Sequence, residues 1–202
     1  MLAAYLIQGA ALGLSATATP GPLQAFLISR AIRDGWRRTL PAALAPLLSD
    51  GPIVALVLLA LTQLPPGLIQ FLRVAGGLYV IYLAWRTFLA FRRYDPAAQI
   101  SASPRGSLLQ AMGINLLNPN PYIFWSLAAG PTVIQGWALD PALALAFVAG
   151  FYGVFVFSSA ALVLVFAGAR AFGPRVVRGL LALSSLALLL FGLYQAGQGL
   201  WN

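Results

Sequence analysis

The sequence predicts an all-α integral membrane protein: six transmembrane helices forming two inverted three-helix repeats, with helices 1 and 4 broken at Pro-x-Pro. Three observations carry this. Of 202 residues, 60% are apolar and only 8% charged, against roughly a quarter charged in a soluble domain. Twelve basic and four acidic residues could not cover the surface of a soluble fold of this size, so the solvent is lipid. Six apolar stretches each reach the ~20 residues a lipid core demands. Finally, a Pro-x-Pro element recurs 99 residues after its first appearance, close to half the chain.

The spans are expected at about 2–29, 39–62, 67–91, 107–129, 139–168 and 175–200, within one transmembrane domain covering 1–202. The first apolar run precedes Ala16-Thr17-Ala18, as a signal peptide would, but the first charge is Arg30. Without a basic n-region it reads as a membrane helix. Residues 1–91 form the first repeat and 107–202 the second, joined by a polar linker at 92–106 (RRYDPAAQISASPRG).

Orientation follows from the arginines. Arg30, Arg33, Arg37 and Arg38 lie between spans one and two. Arg86, Arg92, Arg93 and Arg105 surround the gap between spans three and four, and Arg170, Arg175 and Arg178 separate spans five and six. Eleven of the twelve arginines thus fall on one face, Arg73 being the exception. By the positive-inside rule that face, with the linker, is cytoplasmic and both termini are extracytoplasmic. The +8 charge is therefore a topology signal with snorkelling side chains, and no nucleic acid is called for.

Thr19-Pro20-Gly21-Pro22 interrupts span one, and Asn115-Leu-Leu-Asn118-Pro119-Asn120-Pro121 interrupts span four. A proline lacks an N–H and clashes with the carbonyl four residues back, so the carbonyls of Ala16, Ala18, Asn115 and Leu117 should be freed. Such groups must meet protein, water or ligand in a membrane. Paired interruptions in corresponding positions point to an inverted-repeat transporter with a midplane site. Thr19, Pro20, Gly21, Pro22, Asn115, Asn118, Pro119, Asn120 and Pro121 are the candidate substrate-binding residues. There the carboxylate of a zwitterion would meet a helix N-terminus and its ammonium the carbonyls and Asn oxygens.

Asp50 sits near the middle of span two, where a carboxylate costs roughly 2.5–3.5 kcal/mol on insertion scales. A carboxyl alternating between neutral and charged forms with access suits proton coupling or pairing with an ammonium. The structural alternative is that Asp50, next to Gly51-Pro52, caps backbone at a helix break. Span five has no counterpart, reading Val148-Ala149-Gly150-Phe151-Tyr152-Gly153 there. Gly9 to Gly13 forms a G-x-x-x-G run, suited to close packing within a chain or in a homodimer; Gly76-Gly77 reads likewise. Chemistry is bounded as well. With no His, no Cys and four separated Asp, neither a metal site nor a nucleophile system is supported, so no cofactor is expected and the chain is not read as an enzyme.

The run ATATPGPLQAFLISRAIRDGWRRTLPAALAPLLSDGP (16–52) resembles the first half of the LysE-type amino-acid exporter family. LRVAGGLYVIYLAWR (72–86) is similar to that family's third span, and GINLLNPNPYIFW (113–125) to its second-half motif around Leu-Asn-Pro. The resemblance implies a proton-driven exporter of amino acids or related metabolites in a prokaryotic inner membrane. Pro20, Gly21, Pro22, Asn118 and Pro119 match the family's motif positions, and Asp50 matches the polar or acidic position of its second span. Two departures stand out: Asn120 replaces the Lys common after Asn-Pro, and span five lacks an acid mirroring Asp50. Both weaken the link to a basic amino acid. The expected function is a secondary-active exporter working by alternating access, with substrate, protons and lipid as partners. The competing classes are a passive channel, a lipid scramblase and a non-catalytic scaffold. Saturable uptake against a gradient separates transporter from channel, and a cavity between the two breaks argues against a scaffold.

Overall fold

The computed structural model describes residues 1–19, 21–60, 66–93 and 103–201. Pro20, residues 61–65, most of the expected linker (94–102, with Asp95) and Asn202 lie outside the described residues. Among the described residues every regular element is helical.

Helix α1 (Leu2–Ala18) ends where Thr19 turns extended (φ −72°, ψ 118°). Gly21 is extended too, and α2 (Pro22–Asp34) starts with Pro22 in its first turn, where a missing N–H costs nothing. The two helices are bent by 67°. A Gly35 at φ +81° stops α2, a conformation that favours glycine. The chain re-enters as α3 (Trp36–Thr39), a 3₁₀ turn (Leu40–Leu44) and α4 (Ala45–Ala60), which carries Pro52 inside it. Helix α5 (Pro66–Arg92) follows.

The second half opens with α6 (Pro104–Leu116), whose N-cap Ser103 accepts from Gly106 N–H at 3.0 Å. Next come α7 (Pro119–Phe124), a π-helical turn (Trp125–Ala129) and α8 (Gly130–Leu139). Asp140 then caps α9 (Pro141–Gly168), accepting from Ala142 N–H at 2.8 Å. Past a 3₁₀ turn and Gly173 at φ +91°, α10 (Pro174–Trp201) ends the fold.

Four described helical stretches are long and apolar enough to cross a membrane: Trp36–Val57, Gln70–Arg92, Pro141–Gly168 and Pro174–Leu200. The bent pair α1–α2 makes a fifth if counted as one span. The chain is thus a multi-pass membrane protein. The stretch expected as span four is divided among α6, α7 and the π turn, so it offers no single long helix. Outward leucines and aromatics such as Phe157, Leu164 and Leu190 stay exposed on these helices, as lipid-facing surfaces do.

The most extensive pairings are α1 along α9 and α5 along α10; α2 packs on α9 and α10, and α4 lies against α6 and α7. Small residues set the first two. A Cβ on Gly9 would collide with the Phe147 carbonyl, one on Gly13 with the Phe151 carbonyl, and one on Gly150 with the Leu6 carbonyl. The G-x-x-x-G face is therefore occupied within the chain and does not argue for a homodimer. Gly77 and Gly192 serve the α5–α10 contact in the same way. The core between these pairs contains Leu27, Ala31, Ile53, Ala111, Ile114 and Phe147.

Candidate functional site

Asp50 is 3% exposed, on α4 where it faces α6, the π turn and α9. Its Oδ1 accepts from Asn115 Nδ2 at 2.6 Å. Its Oδ2 accepts from Tyr152 OH at 2.8 Å and from Trp125 Nε1 at 3.2 Å. Asn115 Nδ2 also reaches Ser49 Oγ at 2.8 Å, while Ser49 donates to the Ala45 carbonyl at 2.8 Å. These three partners of the carboxylate are all neutral donors. A buried charge is tolerable only when hydrogen-bonded, and bonds to a charged acceptor contribute about 1.5–3 kcal/mol each. Asp50 bonds to side chains rather than backbone, and α4 runs through Gly51-Pro52 without a break. The capping alternative therefore does not describe it.

Each donor has a local cause. Asn115 lies in the last turn of α6, before the Asn118-Pro119 restart. Trp125 opens the π turn, and the wider i→i+5 geometry, frequent at functional sites, rotates the faces that follow it. Tyr152 comes from mid-α9, its ring 6.3 Å from that of Trp125 and 5.0 Å from that of Phe151.

Beside Asp50 lies a cavity of about 370 Å³, within the roughly 300–1,000 Å³ of small-molecule sites. Of the residues singled out in the sequence, it gathers Thr19, Gly21, Asp50, Asn115, Asn118, Asn120 and Pro121. Pro22 and Pro119 do not line it; both are buried in the first turns of α2 and α7. Pro20 lies outside the described residues. Phe124, Trp125, Phe151 and Phe155 supply an aromatic wall, with Phe124 and Phe151 stacked at 5.2 Å. Among the described residues lining the cavity, Asp50 is the only charged one.

The two breaks are chemically unequal. At α7, Asn118 Oδ1 accepts from Asn120 N–H at 3.1 Å, so this helix start is capped from within. At α2 no side chain caps the start, and Gly21, Leu23 and Gln24 line the cavity. The freed carbonyls are also partly spent. Gln24 Nε2 reaches the Ala16 carbonyl at 3.4 Å, and Gln195 Nε2 on α10 reaches those of Leu117 at 3.2 Å and Leu72 at 3.3 Å. Asn118 N–H takes the Asn115 carbonyl at 3.3 Å. The sequence-based expectation of bare carbonyls awaiting a ligand is corrected at these positions: glutamine side chains and the turn's own backbone reach them first.

One turn from the cavity, Leu27 on α2 and Ala111 and Ile114 on α6 are at most 1% exposed. They fill the space between the cavity and the arginine-bearing ends of those helices.

A family model for LysE type translocators matches residues 14–199. The chain belongs to the LysE type translocator family. No curated protein and no solved structure matches it. LysE translocators are transporters rather than enzymes, so the chain is a membrane transport protein with a small-molecule substrate. The match extends through α9 and most of α10, beyond the motif segments at 16–52, 72–86 and 113–125.

Sequence reasoning did not single out Trp125, Tyr152, Gln24 or Gln195 for this LysE translocator. Tyr152 and Gln195 each left a signal: a hydrogen-bonding side chain within a mostly apolar span.

Proposed function

We propose that this LysE translocator is a secondary-active exporter of a small neutral amino acid or close derivative, coupled to protons through Asp50. The observation that carries the reading is a buried, neutral-donor-stabilised carboxylate beside a cavity lined from both helix breaks. The ammonium of the substrate pairs with Asp50, and its carboxylate meets the uncapped start of α2, where backbone N–H groups and the helix dipole favour an anion. The described residues lining the cavity include a single acid and no base, which disfavours a second charged group on the substrate. Its aromatic wall suits an apolar side chain.

A proton and a substrate ammonium compete for one carboxylate, which is the minimal chemistry of exchange. When a proton occupies Asp50, the ammonium loses its partner and leaves; when the proton goes, the site accepts substrate again. The pairing of α1 with α9, α4 with α6 and α5 with α10 maps onto itself when the first three spans are exchanged with the last three. That pattern supports two inverted repeats of three spans, 1–91 and 107–202, rocking about the cavity in alternating access. The packed layer at Leu27, Ala111 and Ile114 supports gated transport over an open channel. The arginine distribution supports a cytoplasmic linker and extracytoplasmic termini in a prokaryotic inner membrane.

The test uses proteoliposomes and a panel of radiolabelled neutral, acidic and basic amino acids. The unsubstituted protein should drive saturable accumulation of a neutral member under a pH gradient. Asp50→Asn should remove that dependence while the protein remains monodisperse in detergent. Proton-driven transport unchanged by Asp50→Asn would overturn the coupling role.

A further inference from the structure

We propose that the arginine-bearing end of the molecule contains a second site, for a phosphate group, built between α2, α5 and α6 and separate from the cavity beside Asp50. The observations are a small polar cavity, an excess of guanidinium groups around it, and a buried donor there without a partner. The cavity, of about 20 Å³, is lined by Arg30, Arg33 and Arg86 together with Ser29, Thr87 and Gln110.

Arg30 forms its floor. Its side chain is 9% exposed, and its guanidinium pairs with Asp34 on one nitrogen and with Gln110 Oε1 at 2.6 Å on another. The third nitrogen, Nε, is buried with no hydrogen-bond partner. Buried donors are nearly always satisfied, so the guanidinium beside the cavity is left incompletely compensated. Arg33 spends Nε and one terminal nitrogen on the same Asp34, at 2.8 and 2.9 Å. Arg86 is exposed at the rim, with one terminal nitrogen 3.0 Å from Tyr82 OH. Asp34 pairs with both Arg30 and Arg33, and among the described residues lining the pocket there are three guanidinium groups and no carboxylate. A positive excess remains in a partly buried pocket.

The dimensions choose the ligand. A volume of ~20 Å³ holds about one water-sized atom, so one oxygen enters and the rest of the anion stays at the rim. A tetrahedral, multi-oxygen anion can place that oxygen on the buried Arg30 while its others meet Arg33 and Arg86. Guanidinium forks match phosphate in this way, and basic pockets between membrane helices suit lipid head groups. The phosphate comes either from an anionic lipid at this membrane face or from inorganic phosphate in solution.

The experiment takes the full-length, detergent-purified protein. Retained lipid is counted by native mass spectrometry after exposure to phosphatidylglycerol or phosphatidylcholine, and melting is followed in inorganic phosphate against chloride at equal ionic strength. The expected result is at least a tenfold preference for phosphatidylglycerol, or a melting rise specific to phosphate. A preference for the lipid without a phosphate effect assigns the site to a head group, and a phosphate effect without lipid preference assigns it to the free anion. Either response should be lost in Arg86→Gln, an exposed position chosen because Arg30→Gln could disturb folding. It should persist in Arg93→Gln, an exposed arginine of the same helix end outside the pocket. Absence of both responses, or equal loss in the two variants, overturns the site and leaves water as the occupant. Neither readout depends on transport.

Discussion

Removing one hydroxyl should separate the electrostatics of the site from its packing. In Tyr152→Phe the ring keeps its place against Trp125 and Phe151, while Asp50 Oδ2 loses its 2.8 Å donor and keeps only Trp125 Nε1 at 3.2 Å. A hydrogen bond to a charged acceptor contributes about 1.5–3 kcal/mol, and 1.36 kcal/mol is a factor of ten. Any state requiring an ionised Asp50 should therefore weaken roughly ten- to 150-fold, including the ammonium-bound one. The assay is substrate-dependent thermal stabilisation in detergent, using the best ligand from the amino-acid panel, followed by transport in proteoliposomes. Tyr79→Phe is the control, because its hydroxyl sits 3.5 Å from the Gln110 carbonyl and contributes nothing to the Asp50 cluster. Affinity for that ligand unchanged in Tyr152→Phe but lost in Asp50→Asn would refute the reasoning. The carboxylate would then act without its donors.

Other substitutions test the scaffold. Gly13→Ala places a methyl against the Phe151 carbonyl and should cost at least the ~1–3 kcal/mol of an overpacked core, seen as a lower melting temperature; Gly153→Ala, with nothing near its added carbon, should melt like the unsubstituted protein. Gln195→Leu strips its amide from both the Leu72 and Leu117 carbonyls. It should cost about 1–3 kcal/mol per stranded group and show increased hydrogen exchange at the α6–α7 break. Asp34→Asn leaves Arg30 buried without its carboxylate and should destabilise by ~3–5 kcal/mol, measured as early thermal aggregation.

Much of the site was legible because lipid makes polarity conspicuous. Asp50, Asn115 and the two Pro-x-Pro elements break apolar runs, and seven of the ten residues named from sequence line the cavity. What escaped was contact information. Trp125 and Tyr152 were not singled out, because only the packing of the π turn and α9 against α4 makes them donors to Asp50. The freed carbonyl of Leu117 was visible in the sequence, but its partner Gln195 is 78 residues away. Arg30 read as a topology marker like its neighbours. Its burial follows from α2's own stripe of Leu23, Phe26, Leu27, Arg30, Ala31 and Asp34, a helical period that composition alone hides.

The pairing of α1 with α9 and α5 with α10 has a consequence for how the protein is made. Each of these two early elements meets its main partner only in the final third of the chain. During synthesis the first spans must therefore wait in the bilayer with glycine-lined faces uncovered, and the carboxylate at Asp50 must wait for Tyr152. A ribosome stalled before α9 would leave an inserted but unassembled chain, displaying a half-satisfied acid to the membrane's quality-control proteases.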